Sequence, residues 1–441
     1  VGGKVIFIEQ VVPGDVVSVK LRKNKKDWAE GEVVKMEQLS HDRVNPFCTH
    51  FGVCGGCQWQ MLPYAKQLEY KAQQVRDNLT RIGKVELPPF NAIVGAQKTK
   101  YYRNKIEYTF NNKRYLLPDE LSDPSISGME NVAGYHARGF FDKVVDIHTC
   151  HLQEEPTNAL RRAVKEFAIE HDYSFYDIKN HAGFMRNMQV RLCRTGELMV
   201  NIVFGYDDEK KRNALLEHVL GTFPSITTLL YTINTKWNDS MFDLSPQVFF
   251  GKGYIIEMLE DFAFKIGPKS FFQTNTEQAE KLYQVTRDFA ELTGEEIVYD
   301  LYCGTGSIGI FVSKLARKII GVETIAEAVE DARENAALNH VECAHFFVGD
   351  VIDVCDDAFF EANGKPDVII TDPPRAGMHE KLVRKILDME APVVVYVSCN
   401  PATQARDLNI LAEKYSVTKI QPVDMFPHTH HIENVAQLKL R

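Results

Sequence analysis

The sequence predicts an α/β fold whose C-terminal part is a parallel sheet covered on both faces, and two observations predict it. From about residue 267, short apolar runs recur as EEIVYDLY, KIIGVE, AHFFVGD, PDVIITDPP and PVVVYVSC, each followed by a turn and then by helical spacing. The composition, 44% hydrophobic and 25% charged over 441 residues, is that of an ordinary soluble globular chain with several buried cores. No run approaches the ~20 apolar residues that cross a bilayer, and nothing reads as a secretory signal. Nine cysteines are too few for a disulfide scaffold, so a reducing cytoplasm is the expected compartment. Fifty-one basic against 60 acidic residues give a net charge of −9, which excludes a polybasic binder. It does not exclude nucleic acid, because affinity follows local basic patches.

Upstream, residues 1–41 read as short strands around Pro13-Gly14-Asp15 and the basic tip RKNKKDW, the pattern of a small β-barrel. Residues 42–89 hold a Cys- and Gly-rich loop and then a helix, YAKQLEYKAQQVRDNLTRIG, closed by Pro88-Pro89. Residues 90–266 mix strands with a helix over EEPTNALRRAVKEFAIEHD and form a central α/β domain. Residues 267–441 form the Rossmann-like domain, and the helix of residues 64–83 is placed to pack on it.

Several clusters carry chemistry. In VYDLYCGTGSIGIFVSKLA a strand runs through Gly304, Gly306 and Gly309 into a helix, where a ligand meets backbone at the first crevice of the sheet. Glu323 ends the next strand, placed for a ribose hydroxyl pair, and Asp350 ends the AHFFVGD run on the adenine side. The glycine spacing is not the dinucleotide fingerprint and fits an adenosyl pocket better. TDPPRAG brings Asp372 to a strand end, with Arg375 where enzymes that methylate amino groups carry an aromatic residue. YVSCNPAT sets Cys399 just past an apolar strand, where a thiolate would be a nucleophile. Cys303 and Cys193 lack that company and read as structural.

Near the C-terminus, His428, His430 and His431 are a weak metal signal, and Glu433 beside them is a candidate general base. Cys48, Cys54 and Cys57 suggest thiolate ligation, with Cys150 as the nearest fourth candidate. With one Cys-X-X-Cys pair, an iron–sulfur cluster fits better than structural zinc. The segment 97–114 interleaves Lys98, Lys100, Arg103, Lys105, Lys113 and Arg114 with Tyr101, Tyr102, Tyr108 and Phe110, which suits either RNA or a solvated strand face.

Together these motifs resemble the RNA 5-methyluridine methyltransferases, specifically the iron–sulfur-containing 23S rRNA (uracil-5-)-methyltransferases. GGKVIFIEQVVPGDVV resembles a TRAM module lacking its first strand, so an incomplete barrel is expected. CTHFGVCGGCQWQ with Cys150 resembles the cluster site, and SFFQTN, DLYCGTGSIG, GVE, DPPRAG, SCNP and HIEN resemble the catalytic domain in order. The resemblance implies Cys399 as the nucleophile at uracil C6 and Glu433 as the base for the C5 proton. It implies Gln273, Tyr302, Glu323 and Asp372 as S-adenosylmethionine contacts, with Gly304 and Asp350 beside them. Cys48, Cys54, Cys57 and Cys150 become 4Fe-4S ligands. The expected partner of a monomer is RNA, 23S rRNA before tRNA, with no membrane. A non-catalytic iron–sulfur RNA-binding protein is the competing reading, and it would not need SCNP and HIEN together.

Overall fold

The computed structural model describes residues 3–117 and 119–441. Gly2, which opens the first expected strand segment, lies outside them.

The N-terminal part contains β1 (Val5–Ile8), β2 (Val16–Asn24) and β3 (Trp28–Gln38). They form an open three-stranded sheet in the order β1-β3-β2, so the expected barrel is not closed among the described residues. Its core is thin: Val5, Phe7, Val16 and Val34 are exposed. Helix α1 (Tyr64–Asn78) follows the cysteine loop and widens into a π-helical turn over Leu79–Gly83, which Lys84 ends with a left-handed φ of 51°.

The central part is built from β4 (Lys105–Asn111), β5 (Val132–His136), β6 (Val144–Asp146), α2 (Thr157–Glu170), β7 (Met185–Leu192), β8 (Leu198–Phe204), α3 (Glu209–Thr222), β9 (Thr228–Ile233) and β10 (Gln247–Gly251). Its seven strands run β10-β9-β8-β7-β4-β5-β6. Alternating residues of β4, β7 and β8 (Tyr108, Phe110, Met188, Val190, Val200 and Ile202) pack with Leu160, Val164, Leu215 and Leu216 of α2 and α3.

Next come the hairpin β11 (Ile255–Leu259) and β12 (Phe262–Ile266), α4 (Thr276–Ala290), β13 (Ile297–Leu301), α5 (Ser307–Val312), β14 (Lys318–Glu323), α6 (Ala326–Leu338) and β15 (Ala344–Val348). The chain continues through α7 (Val351–Val354), α8 (Asp357–Asn363), β16 (Val368–Thr371), α9 (Glu380–Met389), β17 (Val393–Ser398), α10 (Pro401–Leu411), β18 (Tyr415–Val423) and β19 (Glu433–Leu440). The sheet order is β15-β14-β13-β16-β17-β19-β18, parallel except for β19, which runs antiparallel to both neighbours. Burial on both faces explains the unbroken apolar runs of β13, β16 and β17.

Packing divides the chain differently from its sequence. Ile255, Leu259, Phe262, Phe264 and Ile266 of the β11–β12 hairpin share one core with Phe272, Leu282, Phe311 and Val397, which Cys193, Met199 and Leu230 of the central part also join, so this hairpin packs into the C-terminal core at its junction with the central domain. Val75 and Leu79 of the α1 region join Ala405, Leu408 and Leu411 of α10, and Gly83 O accepts from Asn409 Nδ2 at 2.8 Å.

A buried ion pair completes this docking. Lys71 of α1 donates to Asp424 Oδ1 at 2.6 Å, both side chains fully buried, and to Phe426 O at 3.0 Å. Tyr64 Oη donates to Asp424 Oδ2 at 2.8 Å. Lys71→Ala leaves that carboxylate uncompensated and should lower stability by about 3–5 kcal/mol. Lys71→Met combined with Asp424→Leu should recover part of the loss. The urea midpoints of the three proteins check this, and a single variant as stable as its parent would contradict it.

Candidate active site

The crevice lies past the carboxyl ends of the parallel strands. After β13 the chain turns through Tyr302, Cys303, Gly304, Thr305 and Gly306 into α5, with left-handed φ at Tyr302 (63°), Gly304 (53°) and Gly306 (75°). A Cβ at Gly306 would stand 2.9 Å from the Phe346 ring, and one at Gly309 would stand 3.0 Å from Asp300 Oδ2. Gly309 N donates to that oxygen at 2.9 Å, and Gly304 N donates to Glu323 Oε2 at 3.2 Å. The acid at the end of β14 is therefore bound to the glycine turn itself. Asp350 caps α7 by accepting from Ile352 N at 2.9 Å, and its charge raises the Tyr302 phenol after burial does. Gln273 sits in the turn entering α4, its carbonyl accepting from Asn104 Nδ2 at 2.9 Å.

The reacting end is set by strand pairing. β17 and β19 pair with Ser398 opposite Asn434, so Cys399 and Glu433 follow as neighbours across the two strand ends. Asn400 caps α10 through Ala402 N (3.1 Å) and donates from Nδ2 to Arg375 O (3.0 Å), tying the cysteine turn to the turn after β16. Arg375 Nη2 in turn lies 2.7 Å from His431 Nδ1.

Charge follows this geometry. Burial, then the Glu433 and Asp372 carboxylates, push the Cys399 thiol up to about 11, while the Arg375 guanidinium opposes them. Glu433 is 5% exposed, and burial, then Asp372, hold its carboxyl well above the ordinary range, again opposed by Arg375. Burial raises Asp372 to about 7. Asp300 is raised to about 7 by burial, then by Asp372 and Glu323, against the Gly309 N–H. Cys399, Asp372, Glu433 and Arg375 thus share one electrostatic neighbourhood.

Sequence reasoning missed several members of this neighbourhood. Tyr283 of α4 bonds Ser307 Oγ at 2.9 Å, and its phenol feels Asp372, Asp300 and Glu433. Asp300 opens the DLYCGTGSIG motif, but the motif assigns it no role of its own. Gln67 and Lys71 stand far from Cys399 and Glu433 in sequence, while Asp424 precedes Glu433 in the same hairpin connection. The segment between β18 and β19 rests on the cysteine module: Gln58 N and Trp59 N donate to His428 O (2.8 and 2.9 Å), and Gln67 Oε1 accepts from His428 N (2.8 Å). Burial lowers His428 and His431 to about 4, and among the described residues no His, Cys, Asp or Glu group is arranged to hold a metal ion. His428 instead positions this segment.

Cys48, Cys54, Cys57 and Cys150 line one small cavity with Phe47, His50, Tyr135 and Ile147. Gly56 N donates to Cys54 Sγ (3.4 Å) and Tyr135 Oη to Cys150 Sγ (3.6 Å). Burial, then the neighbouring cysteines, push Cys54 up to about 12. Burial also raises Cys57 to about 11. Cys303 is buried below the glycine turn, and Cys193 beside Glu257.

The basic segment 97–114 is largely engaged within the protein. Lys98 pairs with Glu277, Lys113 with Asp177, and Arg114 with Glu120 and Glu130. Lys100 covers the Phe47 ring at 3.9 Å.

A glycine turn bound to a strand-end carboxylate, in a sheet with one inserted antiparallel strand, defines a Rossmann-like methyltransferase domain. Residues 360–441 match the family model for tRNA (Uracil-5-)-methyltransferase, and residues 282–391 the methyltransferase small domain. A Bacteroides thetaiotaomicron protein described as an uncharacterized RNA methyltransferase is 52% identical over 99% of this chain and 97% of its own. One from Porphyromonas gingivalis is 49% identical over 98% and 95%. The crystal structure of Pyrococcus abyssi tRNA (uracil-54, C5)-methyltransferase in complex with S-adenosyl-L-homocysteine superposes with a TM-score of 0.75 at 30% identity, covering 99% of this chain and 96% of that one. The chain belongs to the RNA (uracil-5-)-methyltransferase family and is an S-adenosylmethionine-dependent enzyme.

Iodoacetamide alkylation of Cys399 should track the thiolate and rise with pH through a midpoint near 11, above the ordinary thiol value. Glu433→Gln and Asp372→Asn each remove a neighbouring negative charge and should move that midpoint down. A midpoint at the ordinary value in the parent would contradict the charge cluster.

Proposed function

We propose that this enzyme methylates C5 of a uridine in 23S rRNA through a covalent adduct at Cys399 that Glu433 resolves. The observation that carries the reading is the β17–β19 register, which sets one nucleophile beside one base in a pocket shared with Asp372 and Arg375.

The chemistry needs both groups. Uracil C5 is too weak a nucleophile to take a methyl group from a sulfonium. Cys399 Sγ, with its thiolate favoured by Arg375, adds to C6 and makes an enolate. C5 then attacks the methyl group, and the donor leaves as a neutral thioether. Glu433 removes the C5 proton, the C6–S bond breaks, and the ring recovers its double bond. A carboxyl held above its ordinary range is a stronger base once ionised, and a sulfonium bound near Asp372 favours ionisation of both. Gln273, Tyr302, Gly304, Glu323, Asp350 and Asp372 are the proposed cofactor contacts. A uridine in a loop leaves its stack most cheaply.

The rRNA assignment rests on the cysteine loop. Cys48, Cys54, Cys57 and Cys150 enclose a cavity without being grouped to clasp a single ion, and a multi-iron cluster accepts wider-set sulfurs than zinc does. These four residues would hold a 4Fe-4S cluster, which supplies a rigid clamp and takes no part in methyl transfer. The second reading, a tRNA uridine, is favoured by the solved P. abyssi relative, a tRNA (uracil-54, C5)-methyltransferase. The N-terminal sheet would act as an incomplete TRAM-like RNA contact.

Mass-spectrometric mapping of rRNA and tRNA from cells with and without the gene decides between them, and loss of 5-methyluridine from neither would overturn the reading. Cys399→Ala should abolish both methyl transfer and the protein–RNA adduct. Glu433→Gln should instead trap a methylated adduct that survives boiling in detergent and carries label from the cofactor methyl. Normal turnover by Glu433→Gln would rule out its role as the base. Anaerobically purified protein should contain about four irons per chain, and Cys54→Ser should lose them. Stoichiometric zinc without iron would exclude the cluster.

A further inference from the structure

A second polar site lies on the central sheet, on the face turned away from α2 and α3. There Lys105, Glu107 and Thr109 of β4 stand opposite Arg191, Gln189 and Asn187 of β7. A sheet face left to solvent would expose these side chains, yet Arg191, Gln189 and Asn187 are 3%, 7% and 5% exposed. Two loops wall them in. The loop after β9 is held by the buried Arg186, which donates to Asn234 O, Lys236 O and Asn238 O, each at 2.7 Å. The turn after β12 accepts from Arg191 Nη2 at Ser270 O (2.6 Å). Gln189, with its amide oriented to satisfy both ends, accepts from Lys105 Nζ (3.2 Å) and donates to Pro268 O (3.0 Å).

The recess is walled but open. Glu107 remains accessible, feels Lys105, Asp239 and Arg191 as charges, and forms no hydrogen bond or ion pair with any described residue. Arg191 Nε has no partner either. Partial desolvation between the walls, then the Asp239 carboxylate, holds the Glu107 carboxyl above its usual range, and burial lowers Lys105 to about 8. Trp237, Phe242 and Phe271 are all strongly exposed on the two walling loops, with Trp237 stacked on His181 at 4.8 Å. Phe242 O accepts from Lys269 Nζ at 2.8 Å, so the two loops meet. One of them continues directly into Gln273.

We propose that this recess is a subsite for a guanine of the substrate RNA flanking the target uridine, read by Glu107 and Lys105. The proposal rests on the RNA methylation reading above. Guanine alone among the four bases sets an acceptor, O6, beside two donors, N1–H and the N2 amino group, on one edge. A carboxylate takes both donors side by side, and a lysine two residues along the same strand face, about 7 Å away, meets the acceptor end. Adenine and cytosine offer a single donor beside an acceptor, and uracil a lone imino group between two acceptors. Exposed aromatic rings at the rim offer stacking faces for unpaired bases.

The test uses the intact enzyme and an RNA fragment carrying the mapped uridine, with each guanine replaced in turn by inosine, which lacks the N2 amino group. One replacement should raise KM about tenfold with kcat kept, the size of one lost base-edge contact. Glu107→Gln should raise KM for the parent RNA by a similar factor, and in that variant the same inosine should cost nothing further. Lys105→Met should also raise KM, while the cofactor affinity of both variants matches the parent. No inosine effect, an unchanged KM for Glu107→Gln, or equal inosine penalties in parent and variant would each overturn the subsite. Failure of the parent enzyme to methylate any RNA would instead sink the underlying reading, and the two outcomes are distinct.

Discussion

The active site depends on the insertion of β19 between β17 and β18. Every other strand of the C-terminal sheet is parallel, and its residues reach the crevice at carboxyl ends. β19 enters in the opposite sense, so its first residue, Glu433, arrives beside the last residues of β17. Register fixes the outcome: a slip of one residue would turn Glu433 to the other face of the sheet. The β17–β19 ladder runs from Val393 with Lys439 to Ser398 with Asn434, and most of β19 is buried. The position of Glu433 relative to Cys399 is therefore a property of backbone pairing, with side-chain packing secondary to it.

The connection between β18 and β19 is mostly buried but has no regular structure of its own, so its path is set by contacts from elsewhere in the chain. One set comes from the cysteine module, more than 350 positions earlier in the chain. Lys71 and Asp424 form a pair that gains little net stability, since burying both charges costs about as much as their attraction returns. Its value is geometric. With Gln67 and the backbone of Gln58 and Trp59 on His428, it specifies one path for the segment. Tyr102 Oη on Pro427 O and Asn275 Nδ2 on Met425 O add contacts from two further directions.

Charge is distributed in the same economical way. Asp300, Asp372 and Glu433 stand in one crevice with raised carboxyls, a costly arrangement for an unliganded fold and a favourable one around a cationic cofactor. Arg375 is the cation that opposes the raised values of both Cys399 and Glu433. The overall charge of −9 places the burden of RNA binding on local surfaces, and much of the basic segment after residue 97 is already paired internally.

The sequence by itself determined the parallel-sheet class and the glycine turn, because each depends on local order. Apolar runs of strand length report two-sided burial, and Gly306 reports a left-handed turn that abuts a neighbouring ring. The four cysteines were legible as a set from their number and spacing, and they line one cavity. Only the tertiary structure decided the rest. It moved the hairpin of residues 255–266 into the C-terminal core, because its apolar face matches Phe272 and Leu282 there. It left the N-terminal strands as an open sheet, enlisted Asp300 and Tyr283 at the crevice, and made His428 a spacer. Lys71 and Asp424 look like any lysine on a helix and any aspartate in a loop. Their pairing arises from a docking of distant segments, and no local pattern encodes which distant partner a charge will meet.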